Sequence, residues 1–182
     1  MKYSKQTNLL SYSCTSLLAA LTLLVALLNP LVAQAATLVP GDFTDSIQIG
    51  GLTRTYLVHV PTTRAQPSPM VLCFHGLNGN GSSMELLTGL NAKADSAGFV
   101  VVYPDGYYKA WNDGGNTTSN ADDVGFISAL IEKLVTQLKI DRKRIYACGA
   151  SNGAFFSQRL AFELSNKVAA VAMVAGGMFE KT

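Results

Sequence analysis

Four short, largely apolar runs limit most strongly what this chain can fold into. They are Met70–Phe74, Phe99–Tyr103, Arg144–Cys148 and Val168–Ala175. Runs this short, rich in β-branched and aromatic residues, are typical of strands that are buried on both faces. Apolar residues at helical spacing lie between them, most clearly from Val124 to Leu138. Strands that alternate with helices predict an α/β domain, with a mostly parallel sheet and helices on both faces.

The N-terminus has the pattern of a secretory signal peptide. Two lysines among the first five residues precede the uncharged run Leu17–Leu28, and Ala33-Gln34-Ala35 supplies a small-x-small cleavage pattern. The run is shorter than the roughly 20 residues that span a bilayer, which favours cleavage over an uncleaved anchor helix. We therefore expect a signal peptide at 1–36, one domain at 37–182, export to the cell exterior or the periplasm, and no stable membrane association after cleavage.

Other parts of the sequence predict secondary structure less strongly. Residues 37–48 resemble a polar leader, whereas Thr53–Val60 alternates polar and apolar residues and predicts a further strand. One helix is expected from Ser82 or Ser83 to about Ala97, because Gly98 is a typical stop.

Composition excludes several classes of protein. Of the chain, 48% is apolar and 14% charged, which excludes a disordered or coiled-coil protein. Residues 37–182 hold 12 basic and 12 acidic side chains, so nothing favours nucleic acid as a partner. No histidine, cysteine or carboxylate cluster has metal-ligand spacing, and the sequence predicts neither a metal nor another cofactor.

The pentapeptide Gly149-Ala150-Ser151-Asn152-Gly153 follows one predicted strand and opens a predicted helix. In that setting a G-x-S-x-G sequence predicts a nucleophile elbow, which exposes a serine hydroxyl at the carboxyl end of the sheet. Gly149 and Gly153 are expected because a side chain there would collide with the neighbouring strand or helix. The Asn152 N–H, at the start of a helix, is predicted to stabilise an oxyanion. The alternative is a glycine-rich turn with an incidental serine.

A second glycine-rich turn, His75–Gly81, follows the run Met70–Phe74. A turn at this place supplies a second oxyanion donor in hydrolases with such an elbow, and the Leu77 N–H is the candidate. Gly76 lets the backbone approach the substrate. His75 is expected to orient the loop, with a general-base role as the less favoured alternative. A phosphate-binding loop is disfavoured because neither G-K-[ST] nor G-x-G-x-x-G is present.

The loop 107–120 leaves alternatives open. Trp111 either has a substrate-lining or lid role or packs at the surface, and Asn112 is a candidate to line the substrate cleft, since long loops in compact domains are often functional. The pair Asp122 and Asp123 is expected at the N-terminus of the following helix, where acidic residues cap the chain and favour the helix dipole.

Three further residues have structural interpretations. His59 lies in a predicted strand and is expected to be a packed structural histidine. Cys73 and Cys148 lie in predicted buried strands. A disulfide between neighbouring parallel strands has poor geometry, so we expect two buried thiols.

With these residues in place, the chain resembles the secreted polyhydroxybutyrate depolymerase and feruloyl esterase-like family of α/β-hydrolases. The matching stretches are RTYLVHVP, VLCFHGLNGNGSS, FVVVYPDG, WN, DDVGFISALIEKL, DRKRIYACGASNGAFFSQRLAFEL and VAAVAMVAGG. They span about residues 53–177. The resemblance implies an α/β-hydrolase fold with Ser151 as the nucleophile. One departure is Ala154, where members often carry a second glycine.

A larger departure lies downstream of the serine. In α/β-hydrolases the triad order is serine, acid, histidine, yet no aspartate or histidine follows Ser151, and His59 and His75 precede it. We expect the chain to stop inside the fold, after the strand that follows the nucleophile helix, without the C-terminal portion that holds the catalytic Asp and His.

The resemblance implies a secreted serine carboxylic-ester hydrolase that acts through an acyl-enzyme on a polyester or an ester-decorated polysaccharide. The alternatives are an inactive truncated remnant and a secreted polymer- or glycan-binding protein. A peptidase or a dienelactone-type hydrolase is disfavoured by the WN and DDVGF stretches. The sequence indicates no oligomeric state.

Overall fold

The computed structural model describes residues 39–115 and 119–177. The signal peptide predicted at 1–36 lies outside the described residues. Within them the elements are β1 (Gly41–Ile49), β2 (Leu52–Val60), β3 (Ser68–Phe74), α1 (Gly81–Thr88), α2 (Leu90–Ala97), β4 (Val100–Pro104), a short 3-10 helix (Tyr107–Lys109), α3 (Asp123–Leu138), β5 (Ile140–Ala150), α4 (Asn152–Glu163) and β6 (Ala170–Val174). Among these residues no helix has the length and hydropathy of a membrane span.

The strands form one sheet in the order β1-β2-β4-β3-β5-β6. β1 pairs antiparallel with β2, and β2 pairs antiparallel with β4. The other three pairings are parallel, so the predicted mostly parallel sheet is confirmed. Because β3 and β5 are parallel neighbours, their carboxyl ends meet at one edge. The turns after these two strands, His75–Gly81 and Gly149–Gly153, are thereby brought side by side.

Helices cover both faces of the sheet, as predicted. β4 shows the division, since its Val100 and Val102 join one core cluster and its Val101 and Tyr103 join the other. The first cluster holds the large buried apolar side chains of α3 and α4, and the second holds Met84 of α1 and Ala94 of α2. The alternation of side chains along a strand produces this arrangement.

Three sequence-based predictions are wrong. The strand expected in Val168–Ala175 is not buried on both faces, because the residues of β6 alternate between exposed and partly buried. The predicted leader 37–48 contains most of β1, whose partly buried residues alternate with exposed ones and which is held by backbone pairing with β2. A strand of this kind is specified by its partner rather than by its own hydrophobicity. The helix predicted up to Ala97 is two helices. Gly89 ends the first one, because it adopts a left-handed conformation (φ 57°) and its N–H donates to the Glu85 carbonyl at 3.0 Å. Asn80, not a serine, caps α1.

Candidate functional site

Ser151 occupies a sharp turn between β5 and α4, and it is exposed. Its backbone has φ 52° and ψ −119°, a region that residues with a side chain rarely adopt. Such a conformation costs about 1–3 kcal/mol and persists only where the surroundings hold it. Here the Ser151 N–H donates to the Val174 carbonyl at 2.9 Å, and the Ser151 carbonyl accepts from the Ala154 N–H at 2.9 Å. β6 and α4 together hold the strained turn.

The glycines on either side of Ser151 are required by contact. A methyl group at Gly149 would overlap the Gly153 carbonyl oxygen. A methyl group at Gly153 would overlap the Phe74 carbonyl oxygen and lie 2.5 Å from that of His75. The first turn of α4 therefore packs directly on the end of β3, with no room for a side chain at either position.

The turn after β3 lies against the serine. A methyl group at Gly76 would be 3.4 Å from Ser151 Cβ, which is van der Waals contact. The turn is closed by the Gly79 N–H, which donates to the Gly76 carbonyl at 3.0 Å. Leu77 follows Gly76 and is 53% exposed. The structure thus brings Ser151, Gly76 and the N-terminus of α4 together, while the oxyanion role of the Leu77 and Asn152 N–H groups stays a prediction.

His75 is buried and both of its ring nitrogens are engaged. Nε2 accepts from the Gly106 N–H at 2.9 Å, so the proton lies on Nδ1, which donates to the Gly76 carbonyl at 2.7 Å. Burial lowers the pKa of His75 from its ordinary value, which keeps the ring neutral. A general base needs a free lone pair facing its substrate, and His75 has none. Its two hydrogen bonds favour the loop-orienting role, which stays a prediction.

Trp111 is in the core, which corrects both roles considered for it. Its exposure is 0%. Its ring stacks on Phe156 (centroids 4.9 Å apart, 7° between planes) and meets Phe74 edge-on at 5.1 Å. The indole Nε1–H donates to the His75 carbonyl at 3.0 Å. The loop folds back over the junction of β3 and α4, where the indole packs against side chains of both elements. Because it is fully buried, the indole does not line a cleft.

The Asn152 side chain has a function that sequence reasoning missed, since only its backbone N–H was considered. Oδ1 accepts from the Trp111 N–H at 2.7 Å. Nδ2 donates to the Trp111 carbonyl at 3.1 Å and to Asp113 Oδ2 at 2.8 Å. The side chain that comes after Ser151 thereby ties the loop to the elbow. No local pattern signals such a contact, because the partners are about forty positions apart.

Asn112 is also committed to internal contacts. Its Nδ2 donates to the Ala121 carbonyl at 3.2 Å, and its Oδ1 accepts from Arg159 Nη1 at 2.8 Å. Its backbone N–H donates to Asp123 Oδ2 at 2.7 Å. The amide braces the loop against α3 and α4, while the substrate-lining role considered for Asn112 stays a prediction.

The two acidic residues at the start of α3, Asp122 and Asp123, have different partners. Asp122 is the cap, as predicted, because its Oδ1 accepts from the Gly125 N–H at 2.8 Å. Asp123 is buried and pairs with Arg54 Nη2 at 2.6 Å, a partner that the sequence did not suggest. Burial raises the pKa of Asp123, while the bond from the Asn112 N–H and the Arg54 charge oppose the rise. The pair joins β2 to the base of the loop.

Both histidines of the chain hydrogen-bond groups other than Ser151. The chain has two, and His75 is engaged as above. His59 holds Asp42 through Nδ1 at 2.6 Å and Asp95 through Nε2 at 3.0 Å. This packed position is the structural role predicted for it. Among the described residues no group of three or more histidine, cysteine or carboxylate side chains is arranged to hold a metal ion.

Comparisons with known proteins point to one family. The sequence profile of the esterase PHB depolymerase family matches residues 54–182. The chain is 33% identical over 128 residues to the bifunctional acetylxylan esterase/xylanase XynS20E of Neocallimastix patriciarum, covering 69% of this chain and 18% of that protein. It is 30% identical over 149 residues to feruloyl esterase D of Neurospora crassa, covering 73% and 49% respectively.

Solved structures agree on the fold. The acetyl xylan esterase from Aspergillus awamori superposes with a TM-score of 0.60 at 17% identity, over 71% of this chain and 50% of that one. The predicted α/β-hydrolase fold is thereby confirmed. The chain spans less than half the length of both curated relatives.

Proposed function

Because the chain belongs to the esterase PHB depolymerase family, we propose that Ser151 is the nucleophile of a secreted carboxylic-ester hydrolase. The observation that carries the proposal is the backbone of Ser151. An exposed serine held at positive φ, between a strand and a helix N-terminus, matches the requirements of a nucleophile elbow. Strain of this kind at a polar, exposed residue is characteristic of functional sites.

In the proposed reaction Ser151 Oγ attacks the ester carbonyl carbon and forms an acyl-enzyme, the alcohol leaves, and water releases the acid. The oxyanion is held by the Asn152 and Leu77 N–H groups. Asn152 is the first residue of α4, so its N–H has no acceptor within the helix. The short distance from a methyl group added at Gly76 to Ser151 Cβ, 3.4 Å, supports the role of Leu77, because it shows that the adjoining backbone lies close to the serine.

The proton of Ser151 needs an acceptor. In α/β-hydrolases the acid and the histidine come after the nucleophile along the chain. An aspartate and a histidine carried by a longer form of the protein, beyond residue 182, would complete the triad. In this proposal residues 1–36 are the signal peptide and residues 37–182 the nucleophile-bearing part of the hydrolase domain.

The proposed substrate is an ester outside the cell, either a polyester or an ester-decorated polysaccharide. The signal-peptide pattern supports an external substrate. The polyester option is supported by the family's name, and the polysaccharide option by the names of the acetylxylan and feruloyl esterases that the chain is similar to.

A comparison of three proteins tests the proposal: the 182-residue chain, a form extended downstream, and the extended form with Ser151→Ala. A short-chain p-nitrophenyl ester is the substrate. We expect turnover by the extended form, its loss in Ser151→Ala, and about 10⁴–10⁶-fold slower turnover by the 182-residue chain, as when a triad base is removed. Undiminished turnover by Ser151→Ala would contradict the proposal. An extended form that binds an acetylated or feruloylated polysaccharide without cleaving it would favour a binding protein instead.

A further inference from the structure

We infer that Cys73 and Cys148 are a disulfide-forming pair, which closes when the folded chain meets a low-molecular-weight disulfide. The two thiols are free in the structure, and their sulfur atoms are 3.4 Å apart. Two thiols in contact are poised for oxidation, whereas two unrelated buried cysteines would lie apart.

The register of the sheet brings the thiols together. Cys73 of β3 and Cys148 of β5 are directly paired across two parallel strands. Neighbouring strands are about 4.8 Å apart, and disulfides join Cα atoms about 4.4–6.8 Å apart, so the backbone spacing allows the bond. Both side chains leave the same face of the sheet, as the contact between the sulfur atoms requires.

The poor geometry expected between parallel strands determines what kind of bond forms. The sulfur atoms must approach to about 2.05 Å, which requires both side chains to rotate away from their present positions. A bond closed under such constraint is more easily reduced than a structural disulfide. The inference is therefore a reversible bridge, which a mild thiol reductant opens again.

The two cysteines differ in accessibility. Cys73 is 0% exposed, among the side chains of Met84, Val101 and Tyr103, whereas Cys148 is partly exposed. The hydrogen bond between the two thiols lowers the pKa of Cys148, and the same bond together with burial raises the pKa of Cys73. Cys148 is accordingly the thiol that ionises first and that an outside reagent reaches first.

The reaction runs in two steps. The Cys148 thiol loses its proton, and the thiolate attacks one sulfur of the reagent, whose S–S bond breaks and releases one thiol that recovers the proton. Cys73 sulfur then attacks Cys148 sulfur, the bond from Cys148 to the reagent breaks, and the Cys73 proton passes to the departing thiolate. Two protein thiols are oxidised and one reagent disulfide is reduced to two thiols.

The bridge would join the strands that carry the site. Cys73 is two residues before His75, and Cys148 is three residues before Ser151. The turns after these strands lie side by side, since a methyl group added at Gly76 would be 3.4 Å from Ser151 Cβ. The bond would therefore link the two turns through the strands immediately beneath them.

Intact-mass measurement tests the inference in the full chain carrying Cys14→Ser, so that the pair supplies the only thiols. The folded protein is exposed to bis(2-hydroxyethyl) disulfide and then to dithiothreitol. We expect loss of two hydrogens, a cross-linked peptide that contains both cysteines, and reversal by dithiothreitol. Two thiols that remain free, or a bond between two molecules, would overturn the inference.

Two single variants test the order of attack. In Cys73→Ala, Cys148 should stop at a mixed disulfide with the reagent. In Cys148→Ala, buried Cys73 should stay unmodified while the chain is folded, and in denaturant both variants should react equally. Circular dichroism identifies any variant that fails to fold, and the parent protein's mass then decides alone. Equal modification of the two folded variants would overturn the assignment of Cys148 as the attacking thiol.

Discussion

Asn152 holds Trp111 by both ends of its amide. Its Oδ1 accepts from the Trp111 N–H at 2.7 Å, and its Nδ2 donates to the Trp111 carbonyl at 3.1 Å. Because the indole in turn donates to the His75 carbonyl at 3.0 Å, the residue after Ser151 is linked to the turn that begins at His75. The loop, the elbow and that turn form one hydrogen-bonded unit.

This link predicts that Asn152→Ala destabilises the fold. The substitution leaves buried backbone groups of Trp111 without partners, and each unsatisfied buried group costs about 1–3 kcal/mol. We expect the free energy of unfolding in urea to fall by at least about 2 kcal/mol. The control is Asn166→Ala on an exposed turn, which should change it by less than about 0.5 kcal/mol. Equal losses in the two variants would contradict the prediction.

Gly153→Ala should lower the stability of the fold more than a glycine-to-alanine substitution at a position with free space around it. The added methyl group would overlap the Phe74 carbonyl oxygen, and backbone on both sides prevents relief. We expect a loss of about 3 kcal/mol or more, or failure to fold, measured by thermal unfolding. Gly177→Ala is the control, because a methyl group there meets only Phe155 at 4.0 Å. A folded Gly153→Ala protein with an unchanged Tm would be incompatible with this packing.

Ser151→Gly should stabilise the chain. Glycine adopts φ 52° without the steric cost that a side chain carries, so about 1 kcal/mol or more of strain is relieved. Ser165→Gly on the exposed turn after α4 is the comparison and should stabilise nothing. Urea unfolding of both variants decides. An unchanged or lower stability of Ser151→Gly would show that the turn is not strained in solution.

Arg54→Met should cost about 3–5 kcal/mol, because it leaves the Asp123 carboxylate buried without its partner. Methionine keeps most of the aliphatic length, so the loss reports the charge and its hydrogen bonds. Arg142→Met removes an exposed pair with Glu132 and should have a far smaller effect. Urea unfolding of the two variants at the same pH makes the comparison. Similar losses would argue against a buried ion pair.

His59 should make stability depend on pH. Burial acts to lower its pKa, but the hydrogen bonds to Asp42 and Asp95 outweigh it, and the pKa is raised. A raised folded-state pKa stabilises the fold below the unfolded value of about 6.5, and the contribution is lost as pH rises through the folded value. The free energy of unfolding should therefore differ more between the parent and His59→Gln at pH 5.5 than at pH 8.

The effect of His59 will be small, because both carboxylates are largely exposed. Asp95→Asn is the matched variant, since it removes one acceptor charge and leaves the ring in place. In Asp95→Asn the free energy of unfolding should depend less on pH, between pH 5.5 and pH 8, than it does in the parent protein. Some of that pH dependence should remain. If the free energies of unfolding of the parent protein and His59→Gln differ by the same amount at pH 5.5 and pH 8, the raised pKa of His59 is contradicted.

Much of the sheet could be predicted from local sequence, because buried strands, amphipathic helices and glycine turns each have a characteristic short-range pattern. The elbow at Ser151 belongs to this group. Strand β1 does not, since its polar residues form a strand only when β2 supplies the hydrogen bonds. A loop rich in turn formers likewise gave no sign that Trp111 would enter the core.

The sequence by itself determined the alternation of strands and helices, the position of the strained serine and the need for glycine on both sides of it. Only the tertiary structure decided which distant residues meet: Arg54 with Asp123, Asn152 with Trp111, and Cys73 with Cys148. The physical reason is that periodicity and turn chemistry act over a few residues, whereas strand order and register determine contacts between residues far apart in the chain.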